Sequence, residues 1–390
     1  MNKLDELIAL LCPNGVKYQE LAHAVSIERG KRVVREQLDE TGLYPVYQNS
    51  LTPLGYHSQW NYPAETTFLI VAGAAGEIGY STCNFWAADD CFPLVCGENL
   101  SSRYLYHVML WLQPTILSRV RKASIPRLSR DSIERLTIPV PPLEIQHEIV
   151  RILDTFTELT AELTAELTAR KQQYAYYRDN LLTFRVDITR KSLDELCTIS
   201  AAGDAPKDAL SLTKTAEYQI PVISNGIGEN AFYGYTDKPK ITEPAVTVAA
   251  RGTIGYAEYR DYPYYPIIRL LSVIPKNTAV LATKYLYYCM QGKKYNVPLG
   301  GIPQLTAPEL KKVVIPVPPL PVQQRIVTVL DNFDAICSDL NIGLPAEIEA
   351  RKKQYEFYRD QLLTFAAQDE IVLTDRQTDR QTDRQTDRQT

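Results

Sequence analysis

The chain is written twice, and this duplication constrains its fold more than any other feature. Residues 170–184 read RKQQYAYYRDNLLTF and residues 351–365 read RKKQYEFYRDQLLTF, identical at eleven of fifteen positions. Upstream, IPRLSRDSIERLTIPVPPLEIQ (125–146) matches IPQLTAPELKKVVIPVPPLPVQ (302–323). Fainter correspondences run further back. They join GEIGY (76–80) to GTIGY (252–256), Tyr104-Leu105-Tyr106 to Tyr285-Leu286-Tyr287, and YPVYQNS (44–50) to IPVISNG (220–226). A repeat on this scale is a repeated domain, so a fold assigned to one half must serve the other. Each copy runs from a variable region through an I-P-V-P-P hinge (138–142 and 315–319) into a similar tail.

The variable regions read as mixed α/β. Short β-rich runs such as TFLIVAG (67–73) and AVTVAA (245–250) are punctuated by Gly, Pro and Asn turns. After each hinge the period changes. Ile149, Ile152, Phe156, Leu159, Leu163 and Leu167 fall at three- and four-residue steps, the pattern of a long amphipathic helix that Pro141-Pro142 would start. The second copy gives Ile326, Leu330, Phe333, Ile336 and Leu340, interrupted at Gly343-Leu344-Pro345. Two such stripes bury most simply against each other, as an antiparallel coiled coil relating two globular α/β domains by a pseudo-twofold axis. Within the first helix the tetrapeptide T-A-E-L stands twice in succession, at 160–163 and 164–167. Thr160, Leu163, Thr164 and Leu167 thus mark a segment whose length can change by whole units.

A search for chemistry finds no complete signature. No Walker-type phosphate loop, H-E-x-x-H or G-x-S-x-G is present. Gly73, Gly76 and Gly79 follow an apolar strand, but the spacing is G-x-x-G-x-x-G and no helical pattern follows, so a turn in a sheet is expected. Asp89-Asp90 lacks neighbours to complete a metal site and reads as a solvated turn. His107 and His147 read as ordinary helix residues. Seven cysteines with no C-x-x-C, and four scattered histidines, speak against zinc and against a disulfide framework. No apolar run reaches membrane-spanning length and the start lacks a signal-peptide layout, which implies a cytoplasmic protein.

The net charge of −4 excludes a uniformly basic nucleic-acid binder, so charge must be read regionally. Arg29, Lys31, Arg32 and Arg35 cluster early. Arg119, Arg121, Lys122, Arg127 and Arg130 fall in a stretch free of acids, and Lys276, Lys284, Lys293 and Lys294 recur in the second copy. Basic stretches beside Gln48, Asn49, Asn225, Arg251 and Gln304 suit duplex DNA. Lys and Arg neutralise phosphates, whereas Asn, Gln and Arg can read base edges.

Together the I-P-V-P-P hinges, the paired R-K-x-Q-Y-x-[YF]-Y-R-D-x-L-L-T-F endings and the T-A-E-L units resemble the specificity (S) subunit of type I restriction-modification systems, in the subgroup with T-A-E-L repeats. The resemblance covers about residues 1–365. It implies target recognition domains at 1–137 and 185–314, a central helical region at 138–184, and a distal one at 315–365. It further implies double-stranded DNA, two modification (methyltransferase) subunits and restriction subunits as partners. S-adenosylmethionine, ATP and Mg would belong to those partners, leaving this chain without cofactor, metal or catalytic residue. The competing reading is a scaffold that holds two identical partners and binds no DNA. A free-standing enzyme is disfavoured by the empty motif search.

Residues 366–390 depart from the family pattern, with T-D-R-Q repeating from Thr374 onward. Their polarity predicts disorder. Thr-Asp-Arg-Gln can be encoded by the tetranucleotide ACAG read through, so a slipping tract would shift the reading frame and make expression phase-variable. A repeat of whole codons is the alternative, and codons that vary between repeats would exclude slippage.

Overall fold

In the computed structural model, residues 3–184, 188–295, 303–339 and 341–366 are described, and the chain divides into two compact units. One comprises Met1–Leu163 with Ile348–Thr390, the other Thr164–Glu347. The T-D-R-Q repeats and Leu340 lie outside the described residues.

In the first unit, β-branched and aromatic runs form short strands that turn residues keep from extending. They are β1 (Tyr18–Glu20), β2 (Val25–Ile27), β3 (Tyr44–Tyr47), β4 (Gly55–His57), β5 (Thr66–Ile70), β6 (Ile78–Ser81), β7 (Trp86–Ala87), β8 (Cys91–Cys96) and β9 (Thr137–Pro139). A four-stranded antiparallel sheet runs β2-β8-β5-β6, and a three-stranded sheet runs β4-β3-β7 with β3 and β7 parallel. The β1 and β9 strands form a separate antiparallel pair. Helices α1 (Lys3–Leu11), α2 (Leu21–Ala24), α3 (Ser102–Ser118) and α4 (Arg130–Glu134) complete the domain.

The second unit repeats this plan strand for strand. Its strands are β10 (Arg190–Ser192), β11 (Cys197–Ala201), β12 (Ile220–Ile223), β13 (Phe232–Thr236), β14 (Ala245–Ala249), β15 (Ala257–Arg260), β16 (Tyr265–Pro266), β17 (Leu270–Pro275) and β18 (Val314–Pro316). The orders β11-β17-β14-β15, β13-β12-β16 and β10-β18 reproduce those of the first unit, including the parallel pair β12–β16. The long helix α5 (Leu143–Leu181) belongs to both units, and α6 (Leu193–Leu196), α7 (Thr283–Met290), α8 (Ala307–Lys311), α9 (Leu320–Ser338) and α10 (Leu344–Leu362) follow.

The common plan corrects one correspondence taken from the sequence. In the first unit the Ile70 N–H donates to the Glu77 carbonyl (2.9 Å) and the Gly76 N–H to the Ile70 carbonyl (2.8 Å). In the second, Ala249 N–H donates to Tyr256 (2.9 Å) and Gly255 N–H to Ala249 (2.9 Å). Residues 72–77 (AGAAGE) are therefore equivalent to 251–256 (RGTIGY), and the match of GEIGY to GTIGY is out of register. The backbone explains why. Gly73 (φ 80°) and Gly76 (φ 95°) hold the same left-handed turn positions as Gly252 (φ 74°) and Gly255 (φ 85°). Gly79 answers a different need, because a Cβ there would lie 2.2 Å from the Phe68 ring. The glycines make a turn between antiparallel β5 and β6, as expected, and open no helix.

Each hinge ends where its prolines dictate, with α5 starting at Leu143 and α9 at Leu320. Proline supplies no N–H, so hinge carbonyls must find other donors. A buried glutamine provides them in both copies. The Gln146 amide donates to the carbonyls of Asn99 (2.9 Å) and Pro141 (2.7 Å) while its oxygen accepts from the Ser101 N–H (2.8 Å). Gln323 repeats the arrangement with Val280 (2.8 Å), Pro318 (2.8 Å) and the Ala282 N–H (2.9 Å). Both side chains are fully buried, and they pin each long helix to the start of α3 or α7. Gln323→Leu leaves these groups buried and unpaired at about 1–3 kcal/mol each. The expected loss is at least about 3 kcal/mol in denaturant unfolding, against under about 0.5 kcal/mol for the exposed neighbour Gln324→Leu. Equal effects would show that the clamp does not hold the hinge.

Within each unit the helices run antiparallel. In the first, Phe156 stacks on Tyr358 (5.1 Å), while Tyr18, paired to Pro139, donates to the Phe365 carbonyl (3.0 Å). In the second, Tyr177 stacks on Phe333 (5.5 Å) and Cys337 faces Lys171 and Arg170. The buried stripe of α5 is Ile145, Ile149 and Leu153, which join the core of β5, β6, β8 and α3. Ile152, Leu159, Leu163 and Leu167 are only half-buried. A strict four-residue step overshoots the 3.6-residue turn by about 40°, so these leucines rotate off any fixed face. In the second copy Ile326 and Leu330 are buried, whereas Ile336 is exposed and Cys337 takes the inner position. The break expected at Gly343 falls immediately before α10.

Candidate nucleic-acid interface

Main-chain hydrogen bonds gather three segments of the first unit at one place. The Asn49 carbonyl after β3 accepts from Ala74 in the β5–β6 turn (2.9 Å), and Gly73 N–H donates to Pro126 (3.1 Å). Leu128 N–H donates to Val71 (2.8 Å), and Arg121 and Arg127 pair through both of their backbone groups (2.8 and 3.2 Å). This network spends the backbone and leaves side chains free. Arg121, Lys122, Arg127 and Asn49 are exposed, and among the described residues none of the three cations enters an ion pair.

On the neighbouring β7–β8 loop, Asp89 is more than a solvated turn. Its carboxylate accepts from Gln48 (3.4 Å) and its carbonyl from Arg29 Nε (3.3 Å). Lys31 and Arg32 are exposed beside them, the Lys31 carbonyl being held by the Trp86 indole (2.9 Å).

The second unit builds the same cluster from other side chains. Asn225, at the place of Asn49, donates to the Arg251 carbonyl (2.7 Å) and accepts from the Thr253 hydroxyl (3.1 Å). Leu305 N–H donates to Ala250 (2.8 Å), as Leu128 does to Val71. Gln304 accepts from the guanidinium of Arg269 (3.0 Å), a residue the sequence reading did not single out. The Arg251 Nε is buried without a partner. Lys294 is exposed.

Three candidates belong elsewhere. Lys284 on α7 pairs with Asp331 of α9 (2.8 Å) and lies over the Tyr259 ring (5.6 Å). Arg103 and Asp154 occupy the same places in the first unit (2.8 Å), so this position ties a domain to its helix. Lys293 donates to the Val314 carbonyl (3.3 Å) in a cleft of about 320 Å³ with Arg178 and Arg190, and burial lowers its pKa. Arg119 donates to the Ser132 carbonyl (3.0 Å). Their positive charge is engaged in holding the fold.

His107 is likewise structural. Its ring is fully buried, with Nε2 2.9 Å from Asp154 and Nδ1 2.9 Å from the Tyr355 hydroxyl. Burial lowers its pKa despite the carboxylate, so the neutral ring donates from Nε2 and accepts at Nδ1. Among the described residues no His, Cys, Asp and Glu cluster could hold a metal, all seven thiols are unpaired, and no helix is long and apolar enough to cross a membrane.

One scaffold used twice, with differing side chains on the same loops, defines a protein that presents two distinct recognition surfaces. The chain matches the type I restriction modification DNA specificity domain over residues 13–170 and 185–350, and it belongs to that family. It is 32% identical to the specificity subunit of an Escherichia coli type I restriction enzyme, over 80% of this chain and 85% of that one. It is 30% identical to a Mycoplasma pneumoniae protein named as a type I specificity subunit, over 91% and 99%. The crystal structure of the type I S subunit from M. genitalium shares the fold with a TM-score of 0.57 at 15% identity, covering 92% of this chain and 97% of that one.

Proposed function

We propose that this chain reads a bipartite DNA target for a type I restriction-modification complex and assembles that complex without itself carrying out chemistry. The carrying observation is that the two units keep the same main-chain bonds beside this cluster, Leu128 to Val71 and Val71 to Asp90 in one and Leu305 to Ala250 and Ala250 to Arg269 in the other, while changing the side chains displayed there. A reader of two unlike half-sites needs this combination of constant frame and variable contacts.

The repeated helical endings supply a second repeated surface. Tyr176 and Tyr177 (66% and 40% exposed) meet edge to face at 5.7 Å, and Phe357 and Tyr358 (57% and 38%) do so at 5.4 Å. The same aromatic pair offered twice fits two copies of one partner, the modification subunit, with restriction subunits added to that assembly. S-adenosylmethionine, ATP and Mg would be bound by those partners and not by this chain. Sequencing modified bases in cells that express this chain with its methyltransferase subunit tests the proposal. A split motif is expected whose two halves change separately when residues 1–137 or 185–314 are exchanged for those of a relative. A pattern indifferent to both exchanges would favour a scaffold that binds no DNA.

A further inference from the structure

The two recognition surfaces can be compared atom for atom. Val71 N–H donates to the Asp90 carbonyl and Ala250 N–H to the Arg269 carbonyl, both at 2.9 Å, so Asp90 and Arg269 hold one position in the fold. Leu128 and Leu305 likewise make Arg127 equivalent to Gln304. The pair Asp90–Arg127 in one unit is thus Arg269–Gln304 in the other, with the charge inverted at the first position and lost at the second. DNA presents the same phosphates to both domains, so a phosphate-binding position calls for a cation in each. A packing position keeps its residue type. A position that inverts charge on a constant frame faces what differs between the half-sites, which is the base edges.

Two further observations fall on the same residue. Arg269 has φ 64° and Ile268 φ 29°, left-handed backbone that side chains rarely adopt and that gathers where function demands it. Arg269 and Gln304 also line a cleft of about 540 Å³ together with Gly203 and Asp204. The hydrogen bond to Gln304 Oε1 uses one of the five guanidinium donors and holds the fork in place, leaving two parallel donors for an acceptor pair.

We infer that Arg269, oriented by Gln304, is a specificity-determining residue of the second recognition domain and reads a guanine through its O6 and N7 acceptors. This rests on the DNA-reading function proposed above. The test uses the full chain assembled with its methyltransferase subunit. The duplexes carry its methylated site, or that site with each G·C pair of the half read by residues 185–314 replaced singly by A·T. With the unaltered chain, one such replacement lowers affinity roughly 5- to 150-fold, the discrimination of one bidentate contact. Arg269→Gly, which suits the left-handed backbone, and Arg269→Gln both make that single pair interchangeable and keep every other penalty. Uniform weakening with all penalties intact, an unchanged profile, or a half-site without a G·C pair would overturn the assignment. Indifference of the unaltered chain to every replacement would instead overturn the DNA reading itself.

Discussion

Replacing Arg121 and Lys122 together with glutamine flattens the salt dependence of DNA binding by the assembled complex. Each lost phosphate contact removes about 0.9 from the slope of log affinity against log salt, so two remove about 1.8. At 0.1 M salt the same term weakens binding by about two orders of magnitude. The expectation is this large because both side chains are exposed and the Arg121 main chain is already bonded to that of Arg127, so substitution alters charge without loosening the loop. Lys284→Gln and Lys293→Gln form the contrast. They break a tie to Asp331 and a bond to Val314, so thermal stability should fall while the slope stays unchanged. An unchanged slope in the double variant, with methyltransferase binding retained, would support the scaffold without DNA.

Deleting Thr164–Leu167 is expected to leave both half-sites intact and to shorten only the unread gap between them. Four helical residues span about 6 Å, and B-DNA rises about 3.4 Å per base pair, so one unit corresponds to one or two base pairs. The deletion is tolerable because every residue of the unit is at most half-buried and α5 is continuous from Leu143 to Leu181. Ala, Glu and Leu are strong helix formers, so the helix closes up rather than breaking. The boundary between the compact units falls between Leu163 and Thr164, so the deletion spares both cores. Modified-base sequencing reads the outcome, and a changed half-site would refute the role of the repeat as a spacer.

Much of the architecture was legible because it is local or repeated. The hinges, both helix starts, the interruption before α10 and the α/β character of the variable regions follow from proline positions and periodicity, which act over a few residues. The repeat carried these from one half to the other. The glycine alignment failed because identical letters satisfied different constraints, left-handed turns at Gly73 and Gly76 but a packed ring at Gly79. The helix stripe was misplaced by one position at Ile152, since four-residue steps drift around a 3.6-residue helix and only packing shows which face turns inward.

The candidate interface divides in the same way. Acid-free basic stretches pointed to Arg121, Lys122 and Arg127, and the structure leaves those three exposed. Lys284 looked no different in sequence, because its partner Asp331 stands far along the chain on another helix. Arg269 carried no local signal, and its equivalence to Asp90 emerges only when main-chain hydrogen bonds set the register. The buried glutamines were visible as identical letters in both hinges, yet their task depends on carbonyls folded against them. Duplication, hinge positions and helix length are properties of the chain as written, since covalent order and local sterics impose them. Which cations stay free, and which loop positions face a ligand, depends on distant residues meeting, and tertiary contacts alone decide that.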